Sequence, residues 1–204
     1  MLNKILCLVL VAFMLIASGC ARGAIENVSP SGDSINAQVE EYAEVEGYYT
    51  RLASDVYYED GTLAALTYYV CVDKECTMAV GSKAVAFDEE GNFKKYEVVI
   101  GVTTIEKVIT KEMTTNGYSY TSITYDQDGY FIRGEFEMVA YNSTTKVTSR
   151  TTGYQEYYNR NVLKTVHEEY YETPDGGVEK LISTTDKSYA ENGSLKEEKT
   201  FNHE

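Results

Sequence analysis

Tryptophan is absent from this chain, and 204 residues carry 2 prolines, 2 histidines and 4 cysteines. Each scarcity excludes something. With His167 and His203 alone, a histidine-built metal centre lacks ligands. No His-Glu-x-x-His spacing exists, because Tyr171 stands at the fifth position from His167. No Gly-x-Ser-x-Gly elbow and no phosphate-cradling glycine loop occurs. No proline lies between Pro30 and Pro174, as strands require when every N–H serves a ladder. Basic charge is scarce too: 18 Lys and Arg stand against 32 Asp and Glu, a formal charge of −14. That balance argues against nucleic acid and against docking on anionic lipid through the protein surface. The long apolar run, Ile5 to Ala17, is too short to cross a bilayer as a helix. With Lys4 the single charge before position 20, it fits the core of a signal peptide.

What the chain has in plenty is tyrosine, 19 of them against 6 phenylalanines. Many belong to a recurring cassette: an aromatic residue, two or three acidic or amide residues, Gly, then a large apolar residue two places on. Tyr125-Asp126-Gln127-Asp128-Gly129-Tyr130-Phe131 is one copy. Others are Tyr57 to Leu63, Phe87 to Phe93 and Tyr189 to Leu195. A looser copy, Tyr157 to Leu163, has Asn161 in place of Gly. Each reads as strand, tight turn, strand, with the Gly or Asn supplying the positive φ of a hairpin turn. The spacing between the first four turns is uneven, which argues against a clean solenoid.

The rest of the chain is organised around these turns. Small polar residues from 21 to 33 read as a tether. Ile35, Val39, Tyr42 and Ala43 fit a short amphipathic helix, with Ser34 to cap it and Gly47 to end it; a first strand is the alternative. From Tyr48 the apolar residues alternate. Four rows are expected to form the core face: Ala64 to Val72; Met78, Val80, Ala84 and Ala86; Tyr96 to Val102; and Tyr130, Ile132, Phe136 and Met138. Asn116-Gly117 predicts a two-residue turn pairing Thr115 with Tyr118 and Met113 with Tyr120. Ile105 to Ile109 could be helical, with Thr103 and Glu106 as a capping box. The β-branched density and that turn favour a strand. After Lys146 the strands are polar on both faces and depend on cross-strand pairs. The fold class is therefore all-β: an antiparallel meander of about ten long strands, closed as a barrel or half-barrel or left as an extended twisted sheet.

Candidate chemistry is sparse, and no catalytic set, cofactor site or metal site is assigned. His167, beside Glu168 and Glu169, reads as a surface-strand histidine rather than a base, and His203 lies in the terminal tail. Asp126 and Asp128, with Asp88, Glu89 and Glu90 if the turns stack, could offer oxygens to calcium, but a solvated turn is the simpler reading. The tyrosine doublets put one ring on each face of a strand. Tyr49, Tyr58, Tyr69, Tyr158 and Tyr171 are the candidate binding surface, for a protein or glycan partner. Cys71 and Cys76 bracket a four-residue polar loop, opposite each other across a hairpin, and are expected to form a structural disulfide in an oxidising compartment.

The leader ends in Ala17-Ser18-Gly19-Cys20, which resembles the lipobox of bacterial lipoproteins. The resemblance implies cleavage after residue 19, acylation at Cys20 and retention on a membrane through the lipid. Acyl chains contribute about 0.8 kcal/mol per buried methylene, a firm anchor when two or more are present. Residues 20–33 become a lipidated tether and 34–204 a single β-rich domain. Ala21 after the Cys implies outer-membrane sorting in a Gram-negative envelope. The turn cassette resembles the tyrosine-aspartate and MORN-like repeats of secreted bacterial proteins. The two-faced polar sheet is similar to the free-standing sheets of spirochaete surface lipoproteins. These resemblances imply a non-enzymatic lipoprotein with a binding or envelope-structural role. A lipid-anchored periplasmic barrel carrying an apolar small molecule is the alternative.

Overall fold

The structure, a computed structural model, describes residues 39–102, 105–158 and 161–203. The leader, Cys20, the tether and the start of the expected helix at Ser34 lie outside them. Eleven strands form one antiparallel sheet whose order follows the chain: β1 Tyr49–Tyr57, β2 Leu63–Cys71, β3 Ala79–Phe87, β4 Phe93–Val102, β5 Ile105–Thr114, β6 Gly117–Tyr125, β7 Phe131–Asn142, β8 Val147–Tyr157, β9 Leu163–Pro174, β10 Lys180–Tyr189 and β11 Leu195–Asn202. The all-β meander expected from the sequence is what forms, and Ile105 to Ile109 is strand. The barrel alternative is corrected: the order is linear, with no pairing that closes it among the described residues. Both ends carry devices that discourage further pairing. The register of β1 breaks between Leu52 and Ser54, and β11 is exposed throughout and carries Lys196, Glu197, Glu198 and Lys199.

The cassettes fold alike. The residue after the aromatic donates its N–H to the carbonyl four residues on and accepts from the Gly N–H three residues on. Asp88 makes these bonds to Asn92 and Gly91 at 2.9 and 3.0 Å; Tyr58, Asp126 and Ala190 repeat them. Gly61, Gly91, Gly129 and Gly193 have φ between +82° and +86°, and Asn161 has φ +63°. This is a three-residue hairpin loop whose last position is left-handed, the conformation that excludes a β-branched residue. A register shift follows in each hairpin whose pairing is resolved. Tyr57 pairs Leu63, Tyr125 pairs Phe131, Tyr157 pairs Leu163 and Tyr189 pairs Leu195. The aromatic and the apolar residue of these four cassettes are therefore cross-strand partners. The chain divides into two compact units, up to Lys94 and from Lys95 onward. In the second unit the turn residues Gly129, Asn161 and Gly193 recur evenly, so the unevenness seen in sequence falls between the units.

The first unit has a core. Leu66, Tyr68, Val70, Val85 and Phe87 are buried on one face, each worth about 1.5–3 kcal/mol. Residues 39–48 lie over it, held by two buried polar side chains. The segment is helical at 39–41, and Gly47, expected to end that helix, instead lies at φ +78° in a separate tight turn closed from Tyr48 to Val45. Tyr68 donates its hydroxyl to the Val39 carbonyl at 2.7 Å and Lys83 donates to the Glu44 carbonyl at 2.8 Å. Tyr42 packs edge-on to Phe87 and stacks on Phe93. The row expected on β3 is corrected. Val70 pairs Gly81, Tyr68 pairs Lys83 and Leu66 pairs Val85, so the odd residues of β3 face the core and Ala84 and Ala86 the other side. Met78 and Val72 are exposed in the connecting loop. The disulfide forms, with Cα atoms 5.1 Å apart, though not across a ladder pair. Cys71 pairs Ala79, and Cys76 reaches back from the loop at φ +54°. Asp73 organises that loop, accepting from the Thr77 N–H and hydroxyl and from the Met78 N–H.

The second unit is thinner. Val98, Ile100 and Val166 are buried, but Tyr130, Ile132 and Met138 are 36, 40 and 54 % exposed, so of the fourth expected core row Phe136 alone is half-buried and the other three are solvated. A shift between Thr124 and Tyr125 leaves Ile132 unpaired in the ladder. The turn before β6 is also corrected. Thr114 pairs Gly117 and Met113 pairs Tyr118, so Thr115 and Asn116 form the loop. Neither Asn116 nor Gly117 has positive φ. Gly117 is needed for closeness instead, since a Cβ there would overlap the Val139 carbonyl. Gly153 is the same, with the His167 carbonyl in the way and the Phe136 ring at 3.0 Å.

This packing has measurable consequences. Gly153→Ala should cost about 3 kcal/mol or more, because the obstacle is backbone, whereas Gly134→Ala, with nothing within 4 Å, should stay within about 0.5 kcal/mol; urea unfolding compares them. In the native protein Cys71 and Cys76 should resist alkylation until reduced. The bridge closes a very short loop, so reduction should cost stability at the low end of about 0–5 kcal/mol.

Candidate binding groove

One face of the second unit's sheet is buried at Val98 and Ile100 on β4 and polar and aromatic from β6 onward. Register places side chains in rows across the strands. Tyr96, Lys111, Tyr120, Glu137, Thr152 and Glu169 form one row. Ser122, Glu135, Tyr154, His167 and Asp186 form the next. On either side run Tyr118, Val139, Arg150 and Tyr171, and Thr124, Arg133, Glu156 and Thr165. The low point is Thr152, whose short side chain turns down to donate to the Phe136 carbonyl at 3.2 Å. Longer side chains stand around it, and the result is an open groove of about 580 Å³.

Its walls hold one another. Arg133 bridges Glu135 at 3.0 Å and Glu156 at 3.1 Å, with its guanidinium over the Tyr154 ring. Arg150 lies over the Tyr171 ring and pairs with Glu179 through two nitrogens at 2.9 and 2.8 Å. Lys111 sits over Tyr118, whose hydroxyl donates to Glu137. Tyr171 donates to Glu169 at 2.7 Å. Single exposed ion pairs contribute about 0–1 kcal/mol, but shared partners and bidentate geometry make a network of these. The carboxylates mark their neighbours: Glu137 holds the Tyr118 hydroxyl above its ordinary range, Glu169 does so for Tyr171, and Arg150 holds Glu179 below its own.

The sequence-selected residues are dispersed. Tyr49 and Tyr69 are exposed in the first unit, with Arg51 over the Tyr69 ring. Tyr58 and Tyr158 are turn residues whose hydroxyls donate to the Phe87 and Tyr189 carbonyls, joining one cassette to the next. Tyr171 alone of the five belongs to the groove face. Asp88 and Asp126 are occupied at home, each accepting from two N–H groups of its own turn. His167 is on a strand, as expected, but its ring stacks on Tyr154 and binds Asp186 at 2.7 Å. Sequence reasoning passed over Tyr118, Tyr120, Tyr154, Arg133, Arg150 and Thr152. Their signal was alternation: Arg133, Glu135 and Glu137, then Arg150, Thr152 and Tyr154, at period two on neighbouring strands. Such a face presents hydroxyls, carboxylates and guanidinium groups together, suited to recognition by hydrogen bonds and stacking.

Compared with known proteins, the chain matches no family model, no curated protein and no solved structure.

His167 should titrate above 6.5, because Asp186 and then Glu169 favour its charged form while burial opposes it. Tyr154 and Glu135 complete its row. The folded-state value is raised, so this contribution to stability is full below the unfolded value and lost as pH rises through the folded one. NMR titration of the ring should show Asp186→Asn moving the midpoint down.

Proposed function

We propose that this chain is a lipid-anchored bacterial envelope protein whose sheet is a binding module with no catalytic role. The groove of the second unit is the observation that carries the binding half of this reading. It is built, charge-linked and open to solvent, on strands fixed by repeated turns. The anchoring half rests on the Ala17-Ser18-Gly19-Cys20 motif, with acylation at Cys20 and an outer-membrane address from Ala21. The linear strand order supports a binding surface over a carrier, because an apolar cargo needs an enclosed lumen. The acidic surface suits a protein or glycan partner rather than nucleic acid. Cys71 and Cys76 serve the structure.

Cys20→Ser should move the protein from the membrane fraction into the soluble fraction of lysed cells. Retention of that variant on membranes would remove the anchoring half of the proposal.

A further inference from the structure

We propose that two copies of this chain pair with each other through the outer edge of β11, antiparallel, with Thr200 of one copy opposite Thr200 of the other. This interface is separate from the groove and does not depend on it.

Among the described residues β11 pairs on one side only, with β10. The His203 N–H donates to the Ile182 carbonyl at 2.8 Å, and the ladder runs on from there with Asn202 opposite Ser183 and Phe201 opposite Thr184. Antiparallel ladders alternate, so Phe201 and Lys199 also turn their backbone groups toward β10. Glu198, Thr200 and Asn202 therefore turn their N–H and C=O groups outward, where a further strand would lie. Phe201 stands beside this row, 52 % exposed. A bare row of backbone groups with a large apolar side chain next to it is a template for another strand. The opposite edge, β1, is not equivalent. Its register breaks between Leu52 and Ser54 and again between Val56 and Tyr57, and such breaks turn an edge away from pairing.

The charges of β11 select both the occupant and the register. Lys196, Glu197, Glu198 and Lys199 oppose pairing with strands at large, yet they fit the same strand reversed. With the outward groups facing one another, a two-fold axis can fall at Glu198, Lys199, Thr200 or Phe201. At Glu198 it opposes two carboxylates, and at Lys199 two ammonium groups, and like charges directly opposite destabilise a sheet. At Phe201 it sets Lys199 against His203 and leaves Glu198 outside the described ladder. At Thr200 no like charges meet. Thr200 faces Thr200, Glu198 faces Asn202, and Phe201 lies along the Lys199 stem of the other copy. All of the outward residues then pair, each pair exchanging both bonds. Parallel pairing in register would set every charge beside its own kind. The antiparallel contact is isologous and closes at two copies. One strand pair is smaller than a standard interface, so the dimer is weak and concentration-dependent. Two chains of formal charge −14 repel at long range, and salt screens that repulsion.

The test is thiol cross-linking and sedimentation equilibrium of the full chain in excess detergent, at about 0.3 M salt. Hydrogen-bonded pairs place Cα atoms about 5.5 Å apart, within disulfide reach, so Thr200→Cys should cross-link to itself under mild oxidation. In this register Glu198 lies roughly 14 Å from Glu198 of the second copy, and Asn202 as far from its own counterpart, at a rise of about 3.4 Å per residue. Glu198→Cys and Asn202→Cys should each give about tenfold less homodimer than Thr200→Cys, yet cross-link to one another when mixed. The parent chain, with its natural cysteines, is the baseline. Thr200→Pro removes an N–H that serves no bond to β10. It should weaken a Kd on the order of 100 µM about tenfold or more while circular dichroism shows the strands intact. If that variant unfolds, the cross-linking pattern decides alone. A chain that sediments as monomer up to about 1 mM overturns the proposal. So does equal cross-linking at positions 198, 200 and 202, or unchanged self-association of folded Thr200→Pro. Capture by Thr200→Cys of a different protein from cell extract, in place of its own copy, overturns it as well.

Discussion

A left-handed residue at one position of each cassette turn governs this sheet. A meander has no long-range connections to correct a slipped strand, so register must be fixed hairpin by hairpin. The cassette does this with one Gly or Asn at positive φ, an amide bond pair closing the loop, and an aromatic–apolar pair locking the first rung beyond it. A slip of one residue would turn every side chain to the wrong face. In the second unit that would scatter the groove, whose rows cross six strands from β4 to β9. The turn is therefore upstream of any function the face performs. Where Tyr follows the aromatic, its hydroxyl ties the loop to the neighbouring cassette. Where Asp follows, its carboxylate ties the loop to itself.

The two units meet the problem of a sheet's exposed face differently. The first covers one face with residues 39–48 and accepts two buried polar side chains, Tyr68 and Lys83, satisfied by backbone carbonyls of the covering segment. Burial pushes the Lys83 ammonium down from its ordinary value. The second spreads its stability over cross-strand pairs of about 0.2–1 kcal/mol each. Cation over ring, ring beside carboxylate and carboxylate on the next guanidinium form a chain of such pairs. The groove is thus walled by the same network that keeps those strands ordered.

Much of this was legible in the residues and some was not, for identifiable reasons. The cassette turns were readable because positive φ restricts composition locally: Gly directly after acidic or amide residues, between two strand-like runs, marks a left-handed turn position. The strand nature of Ile105 to Ile109 was readable from β-branching. Asn116-Gly117 misled because Gly117 answers to a different need, room for the Val139 carbonyl, and that need is set by a strand more than twenty residues on. The β3 row failed because alternation fixes two faces without saying which is covered; the pairing of Val85 with Leu66 and Lys83 with Tyr68, beyond a register shift that leaves Val80 unpaired, puts the odd residues on the covered side. Met138 looked like core because apolarity and burial usually coincide, and at 54 % exposed it shows that alternation marks a face without saying that anything covers it. Thr152 had no signal of its own, since a low floor exists only relative to taller neighbours on adjacent strands.

The composition can now be argued from the architecture. A strand solvated on both faces needs residues that favour extended backbone, stay soluble and still interact with neighbours. Valine and isoleucine meet the first demand alone, and lysine and glutamate mainly the second. Tyrosine meets all three, with a ring for a cation to sit over and a hydroxyl for a carboxylate to hold. Phenylalanine at Tyr118 or Tyr171 would keep the ring beneath Lys111 or Arg150 and release Glu137 or Glu169 from one partner. Tryptophan would bring a larger ring with one donor at the wrong reach. The excess of tyrosine and the absence of tryptophan are therefore what an uncovered sheet face requires.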